Sequence, residues 1–487
     1  MELNRLTVQQ LSELLEKKEV SSLEITQDYL NRIKRIDSDL QAFVTLTEAE
    51  ALAQAKLIDE KRARGEDLSS LAGIPMAVQD NICTGGVKTT CASKMLNNYI
   101  PPTDATAIAR LKKAGSILIG KTNLDEFGMG SSTENSAFFT TKNPYDSTYV
   151  AGGAGGGSAA AVAAGEAAFA LGSDLGGDIR QPAAFCGVIG FKPTFGYVPK
   201  TGLISSASSL DQLGAFSRDM TDMALVLNTI CGHDAYDSTS AVVDVPDFRE
   251  SLINDVKGLK IGLPKEYFAA GVDSKVATKL QEAIKILESL GASCVEVSLP
   301  HTKYAVTAHY IISCAEASSN LARYDGVRFG QRVEGEDVLS LFMKTRGQGF
   351  GEEVKRRILL GTHVLSTAQY DEYYTEALKV RTLNKEDFAQ AFEKVDCLLT
   401  PATLTTAYKR GEMTGNPLAM YRSDVCAIPA SLAGLPAMSL PFGLVDQMPV
   451  GLQLIARHFE DKTLLRVGYA LEQNTDQTRL KPSLARG

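Results

Sequence analysis

The sequence predicts an α/β protein, a sheet layered by helices, with a helical arm at its amino end. Three observations lead there. Short apolar runs of strand length alternate with helical windows from Gly73 onward, residues 7–36 carry a helical apolar period, and residues 300–390 return to one. With 487 residues and 44% hydrophobic content, the chain can bury one large core or two modest ones.

The arm comes first, over residues 1–65. Residues 7–36 read as two amphipathic helices, and Ser21-Ser22-Leu23-Glu24 opens the second with a serine followed three residues later by glutamate, the spacing of a capping box. Ile74-Pro75-Met76-Ala77-Val78 and Ser116-Ile117-Leu118-Ile119-Gly120 are strand-type runs separated by a helical window from Asp104 to Ala114. Residues 245–275 combine Pro246, scattered charge and the strand signal Gly258 to Pro264, and mark the place for an insertion or a change of lobe. An amphipathic helix follows over 275–292, then a helical excursion over 300–390, and strands return at Cys397 to Pro401 and Gly451 to Ile455. No repeat or low-complexity tract divides the chain, so residues 1–487 read as one domain.

A net charge of −8 argues against a chain that grips a nucleic-acid backbone by itself, and any such contact has to come through a partner. The eight cysteines form no C-x-x-C pair, which disfavours a zinc knuckle and a disulfide framework and points to a reduced cytoplasm. Five scattered histidines lack metal-ligand spacing, and no motif for a cofactor is present. Met1-Glu2-Leu3-Asn4-Arg5 lacks a secretory apolar core. The Ala-rich stretch Ser158 to Leu171, broken by Gly165 and Glu166, is too short to span a bilayer. The expectation is a cytoplasmic protein with no metal, no cofactor and no membrane contact.

Several stretches carry chemistry: Gly73-Ile74-Pro75 leading to Asp80-Asn81-Ile82, Gly120 to Phe127, Gly130 to Ser136, Gly156 to Ala163, Ile179 to Gly187, and Ser208 to Gln212. On these the chain resembles the amidase signature family, and within it the glutamine-dependent, tRNA-linked amidotransferase branch, from end to end. The resemblance implies a mixed β-sheet core layered by α-helices. It also implies a lysine that serves as base for a middle serine, a nucleophilic serine, and an oxyanion hole of backbone N–H groups. By motif these roles fall on Gln79, Ala154 and Asp178, with the oxyanion turn at Leu175, Gly176 and Gly177. Gln79 has no proton-accepting nitrogen, and Ala154 can relay nothing. Gly155 and Leu175 replace a second serine and a threonine, so five changes cluster on the reacting positions. Losing one member of such a unit costs on the order of 10⁶ in turnover. Asp178 is expected as an ionised carboxylate, held by backbone N–H groups of its own turn and by the Gln79 amide.

The resemblance also implies an amino-acid clamp, with Arg357 of Lys355-Arg356-Arg357-Ile358 on an α-carboxylate and Asp424 of Ser423-Asp424-Val425 on an α-amine. His309-Tyr310 stands where the family carries two tyrosines, which bears on the choice of ligand. Without the resemblance, the Arg pair reads as a solvated helix face and Asp424 as a cap for the next helix. Gly152 to Ser158 lacks the ending of a phosphate loop, and Lys121 is assigned a structural part.

Three readings follow. The preferred one is a non-hydrolytic protein of this fold that binds an amino-acid-like small molecule or a protein partner, as a regulator or scaffold. The second is a redirected enzyme that uses Asp178 as nucleophile or base in a specialised biosynthetic pathway, and the third is an A-like subunit of a tRNA-dependent amidotransferase beside a B-like subunit.

Overall fold

The computed structural model describes residues 2–269, 271–482 and 484; residues 1, 270, 483 and 485–487 of the single-domain reading lie outside them. The arm begins with helices Val8–Glu16 and Ser22–Leu40, capped by Thr7 and Ser21 through reciprocal capping boxes. Ser21 Oγ accepts the Glu24 amide at 3.1 Å, and the Glu24 carboxylate accepts the Ser21 amide at 2.8 Å. Between Ser22–Leu40 and helix Glu48–Ala63 the chain lays down strand β1 (Phe43–Leu46), so the arm also supplies one edge of the sheet.

Ten further strands complete that sheet: β2 (Pro75–Gln79), β3 (Ile117–Thr122), β4 (Phe169–Asp174), β5 (Ile189–Lys192), β6 (Gln212–Ser217), β7 (Lys260–Pro264), β8 (Ser293–Val297), β9 (Cys397–Pro401), β10 (Ala437–Val445) and β11 (Met448–Ala456). They form one mixed sheet of 11 strands in the order β1-β3-β2-β4-β6-β5-β10-β11-β9-β7-β8. β2 runs parallel to β3 and β4, whereas β4–β6, β6–β5, β5–β10 and β10–β11 are antiparallel. The carboxyl ends of β2 and β4 therefore open on the same rim, which is where the loops of interest emerge.

Strand periodicity divides the core into two layers. Met76, Val78, Leu118, Phe169, Leu171 and Leu213 face one hydrophobic cluster, and their neighbours Ala77, Ile117, Ile119, Ala170 and Phe216 face another. The second layer is built from alanine because helix Gly156–Ala164 lies directly on the strands. A side chain at Gly157 would meet the Asn123 carbonyl at 2.4 Å. The Ala-rich stretch is thus two elements, this helix and β4, and both are fully buried in the sheet layer except at Ala163.

The excursion leaves the sheet after β8 and contains helices Ala305–Asn320, Val338–Gly349, Glu352–Val364 and Glu376–Phe392 before β9. Its first and last helices pack against the turn that follows β4: Ala305, Ala308, Ile312 and Ala377 share a cluster with Leu175, Ala207 and Ile428. That contact carries residues distant in sequence to the rim of the sheet.

Replacing Ser21 with alanine removes one half of the capping box and should lower unfolding free energy by about 1 kcal/mol, read by urea denaturation. An unchanged midpoint would show that packing alone holds the arm.

Candidate functional site

The rim site is anchored by a buried ion pair. Asp174 ends β4, and Arg180 begins helix Arg180–Cys186 six residues later. Arg180 Nε donates to Asp174 Oδ2 at 3.0 Å and Nη2 to Oδ1 at 2.9 Å, with neither side chain exposed. Burial opposes ionisation, but the guanidinium bonded to both oxygens holds the Asp174 carboxyl below its ordinary range. The remaining donors of Arg180 reach the Ala427 carbonyl at 2.8 Å, Gln453 Oε1 at 2.7 Å and Ser431 Oγ at 2.7 Å. Asp174 also accepts the amides of Gly177 at 3.0 Å and Ile179 at 3.2 Å, which fixes the path of the intervening turn.

Asp178 sits in that turn and bridges two loops. Its Oδ1 accepts the Ala154 amide at 3.0 Å and its Oδ2 the Leu175 amide at 2.7 Å. Of the expected arrangement one amide of its own turn, Leu175, is present and the second comes from the other loop, while the Gln79 part is absent. Gln79 Oε1 accepts the Ser173 amide at 3.0 Å, and its Nε2 is buried without an acceptor. Burial, with the nearby Asp174 and Asp424 charges adding to it, pushes the Asp178 carboxyl well above its ordinary range, against the pull of the Leu175 and Ala154 amides. Both Asp178 carboxylate oxygens are thus engaged by backbone amides.

Of the three amides of the oxyanion turn, Leu175 N–H goes to Asp178 and Gly177 N–H to Asp174. The Gly176 N–H is left with no acceptor among the described residues. A methyl group at 176 would stand 3.0 Å from His309 Nε2 and 3.4 Å from Ile428, so a side chain there requires the neighbouring groups to give by a few tenths of an ångström.

The structure gathers Arg357, Tyr310 and Asp424 on the excursion side of this turn. Arg357, on helix Glu352–Val364, is only 3% exposed, so it is not a solvated helix face. Its guanidinium lies 5.0 Å from the ring centre of Tyr310 and 5.4 Å from that of Tyr421, and its Nε donates to Glu353 Oε1 at 2.8 Å. The two tyrosine rings stack at 3.9 Å. Asp424 accepts from Gln181 Nε2 at 2.8 Å, from Ser131 Oγ and, more distantly, from the Tyr310 hydroxyl at 3.4 Å. Its main-chain carbonyl, not its side chain, accepts the amides of Ala427 and Ile428, so the carboxylate is not a cap. Burial pushes its carboxyl up to about 7, against the opposing effects of the Ser131 hydrogen bond and the Arg357 charge.

Sequence reasoning missed Tyr421, Glu353, Ser131 and Gln181. The Tyr421 hydroxyl donates to Glu353 at 2.8 Å, closing a buried ring with Arg357. The signal was available only in part: Glu353 stands one helical turn before Arg357, the spacing of an ion pair on one face. A cavity of about 970 Å³ opens beyond Tyr310 and Tyr421, between helices Ala305–Asn320 and Glu352–Val364. Among the described residues no group of three His, Cys, Asp or Glu side chains is placed to hold a metal ion, and no helix is long and apolar enough to cross a membrane.

The mixed sheet with its Gly- and Ser-rich rim loops defines an amidase-type α/β protein, and a family model described as Amidase matches residues 24–465. The chain belongs to the amidase signature family. It is 58% identical, over 99% of both chains, to the A subunit of glutamyl-tRNA(Gln) amidotransferase from Moorella thermoacetica. It is 57% identical to the protein of that name from Desulforamulus reducens, over 99% of this chain and 100% of that one. The crystal structure of the corresponding A subunit from Thermotoga maritima superposes with a TM-score of 0.83 at 40% identity, covering 99% of this chain and 98% of that one. These full-length relatives overturn the preferred expectation of a non-hydrolytic pseudoenzyme acting as a separate regulator or ligand-binding scaffold, and favour the A-like subunit. The substitutions are confined to the end of β2, the loop at 154–155 and the turn at 175–178, whereas the likeness runs through the whole chain.

Arg180→Met should cost about 3–5 kcal/mol in urea unfolding, because it leaves Asp174 buried and uncompensated. Adding Asp174→Asn should recover part of that loss; no recovery would mean that the pair is not the source of the effect.

Proposed function

We propose that the chain works as the A-type subunit of a glutamyl-tRNA(Gln) amidotransferase. The observation that carries this reading is end-to-end identity with proteins of that name, 58% over 99% of both lengths in one case. The site geometry supports it. A free α-amino acid needs one bidentate cation and one anion a short distance apart, and Tyr310 has Arg357 over its ring and Asp424 at its hydroxyl. Arg357 takes the α-carboxylate of glutamine and Asp424 its α-ammonium.

The complex is cytoplasmic and includes a B-like subunit, and contact with tRNA runs through that partner, as the acidic balance of this chain requires. Positions 79, 154 and 178 carry Gln, Ala and Asp, so amide chemistry in the complex has to be assayed with L-glutamine and with ammonium as separate nitrogen sources. Co-expression with a B-like subunit should yield a stable stoichiometric complex by size exclusion. Two separately eluting proteins would overturn the assignment.

The raised Asp424 carboxyl sets the pH dependence of the clamp. With its value at about 7, the group is protonated below neutrality and cannot pair with an ammonium, so L-glutamine should bind more tightly as pH rises from 6 to 8. Asp424→Asn should weaken binding about 10- to 100-fold at pH 8 and flatten that dependence, measured by calorimetric titration. A retained slope in the variant would assign the titration elsewhere.

A further inference from the structure

We propose that the groove between the end of helix Glu376–Phe392 and the segment following β11 binds a small organic anion, a phosphate or carboxylate head on an aromatic body. The groove shares no lining residue with the cavity beside Tyr310, so its occupancy is independent of how the clamp is assigned.

Its floor is apolar. Phe388 and Phe392, four residues apart, stand on one face of the helix, with ring centres 6.3 Å apart and planes inclined by 24°. Both are buried, as are Ala433 and Leu435, which line the same recess of about 510 Å³. A recess of that size takes one small molecule.

The rim is basic. Lys385, Arg457 and His458 stand round this floor, and Glu393 is the one acid among the lining residues. Among the described residues none of the three basic groups enters an ion pair. Two of them are also held in place, unlike solvated surface cations: Arg457 Nη2 donates to the Phe392 carbonyl, and the His458 ring is hydrogen-bonded to the Ala433 carbonyl. A methyl group at Gly434 would stand 3.3 Å from His458 Nε2, so the ring lies close over the chain between Ala433 and Leu435. The buried Lys192 donates to the Leu435 carbonyl at 2.6 Å and adds its charge beside the floor.

That charge is not neutralised. Burial and the Arg381 charge push Lys385 down, and burial with the Lys385 and Lys192 charges pushes His458 down, so the charges felt at the rim are themselves positive. A positive rim over an apolar floor favours a ligand that brings a negative head and buries a ring. An uncharged ring gains only the floor, and a bare inorganic anion only the rim.

Calorimetric titration of the full chain with 1-naphthyl phosphate, 1-naphthoate, 1-naphthol and inorganic phosphate tests this, with the His458 ring followed by NMR. One of the two naphthyl anions should bind at least about tenfold more tightly than naphthol and than inorganic phosphate, and the tighter of the two identifies the head. Its binding should weaken as salt is added and should raise the His458 titration midpoint, because a nearby negative charge favours the imidazolium. Lys385→Gln combined with Arg457→Gln should weaken the anion about tenfold, while Lys394→Gln, an exposed cation outside the groove, should leave it unchanged. If losing the Arg457 contact to Phe392 disturbs the helix end, Lys385→Gln alone, at an exposed position, should still weaken binding about threefold. No binding of either anion, naphthol bound as tightly as both, a His458 midpoint that does not move, or Lys385 variants that bind like the wild type would each overturn the proposal.

Discussion

A bidentate ion pair with no exposed atom joins Asp174 to Arg180, and the rim of the sheet is arranged around it. Five guanidinium donors in a fixed plane meet a carboxylate, a carbonyl, an amide oxygen and a hydroxyl, contributed by β4, β11 and the segment 427–431. Taking two charges out of water is expensive, and the compensation has to be complete. Here it is, and the result is a turn in which the Leu175, Gly177 and Ile179 amides have assigned destinations. The substituted Asp178 fits because that turn already aims Leu175 N–H at its side chain, with a second amide supplied by Ala154 from the neighbouring loop.

The fold was legible wherever local chemistry and tertiary need agree. Ser21 and Glu24 announced a helix start and form the capping box, and the apolar runs near 74 and 116 became β2 and β3. β10 was not read, because Pro441 and Gly443 interrupt it: the structure absorbs both in an irregular register between Pro441 and Leu444. Its turn, Asp446-Gln447, adopts positive φ at both residues without the glycine that would have signalled a two-residue hairpin. β4 was hidden in an Ala-rich stretch whose composition suits a helix as well as a fully buried strand.

The site was legible by motif, not by physics. Arg357 and Asp424 are 67 positions apart, and only the path of the excursion brings them to one tyrosine. No spacing rule connects them. The Gln79–Asp178 bond failed for a different reason: Ser173 N–H, at the end of β4, is a nearer and obligatory client for the Gln79 carbonyl, and it turns the amide so that Nε2 has no acceptor. Backbone satisfaction outranked a plausible side-chain pair.

The central seam of the sheet is the short antiparallel contact of β5 with β10, which pairs Ile189–Lys192 with a strand nearly 250 positions later. The Arg180 network crosses the same divide to Ala427, Ser431 and Gln453. A chain emerging from the ribosome can therefore finish β1–β4 and the loops at 151–157 and 174–180 and still have an open groove where the rim will be. Until residues 427–453 arrive, Arg180 is held by Asp174 alone, with three of its five hydrogen bonds unmade. Competence for ligand and full length of the polypeptide are therefore acquired together, because a prematurely terminated product keeps the Asp174–Arg180 pair but lacks Ala427, Ser431 and Gln453, which complete it.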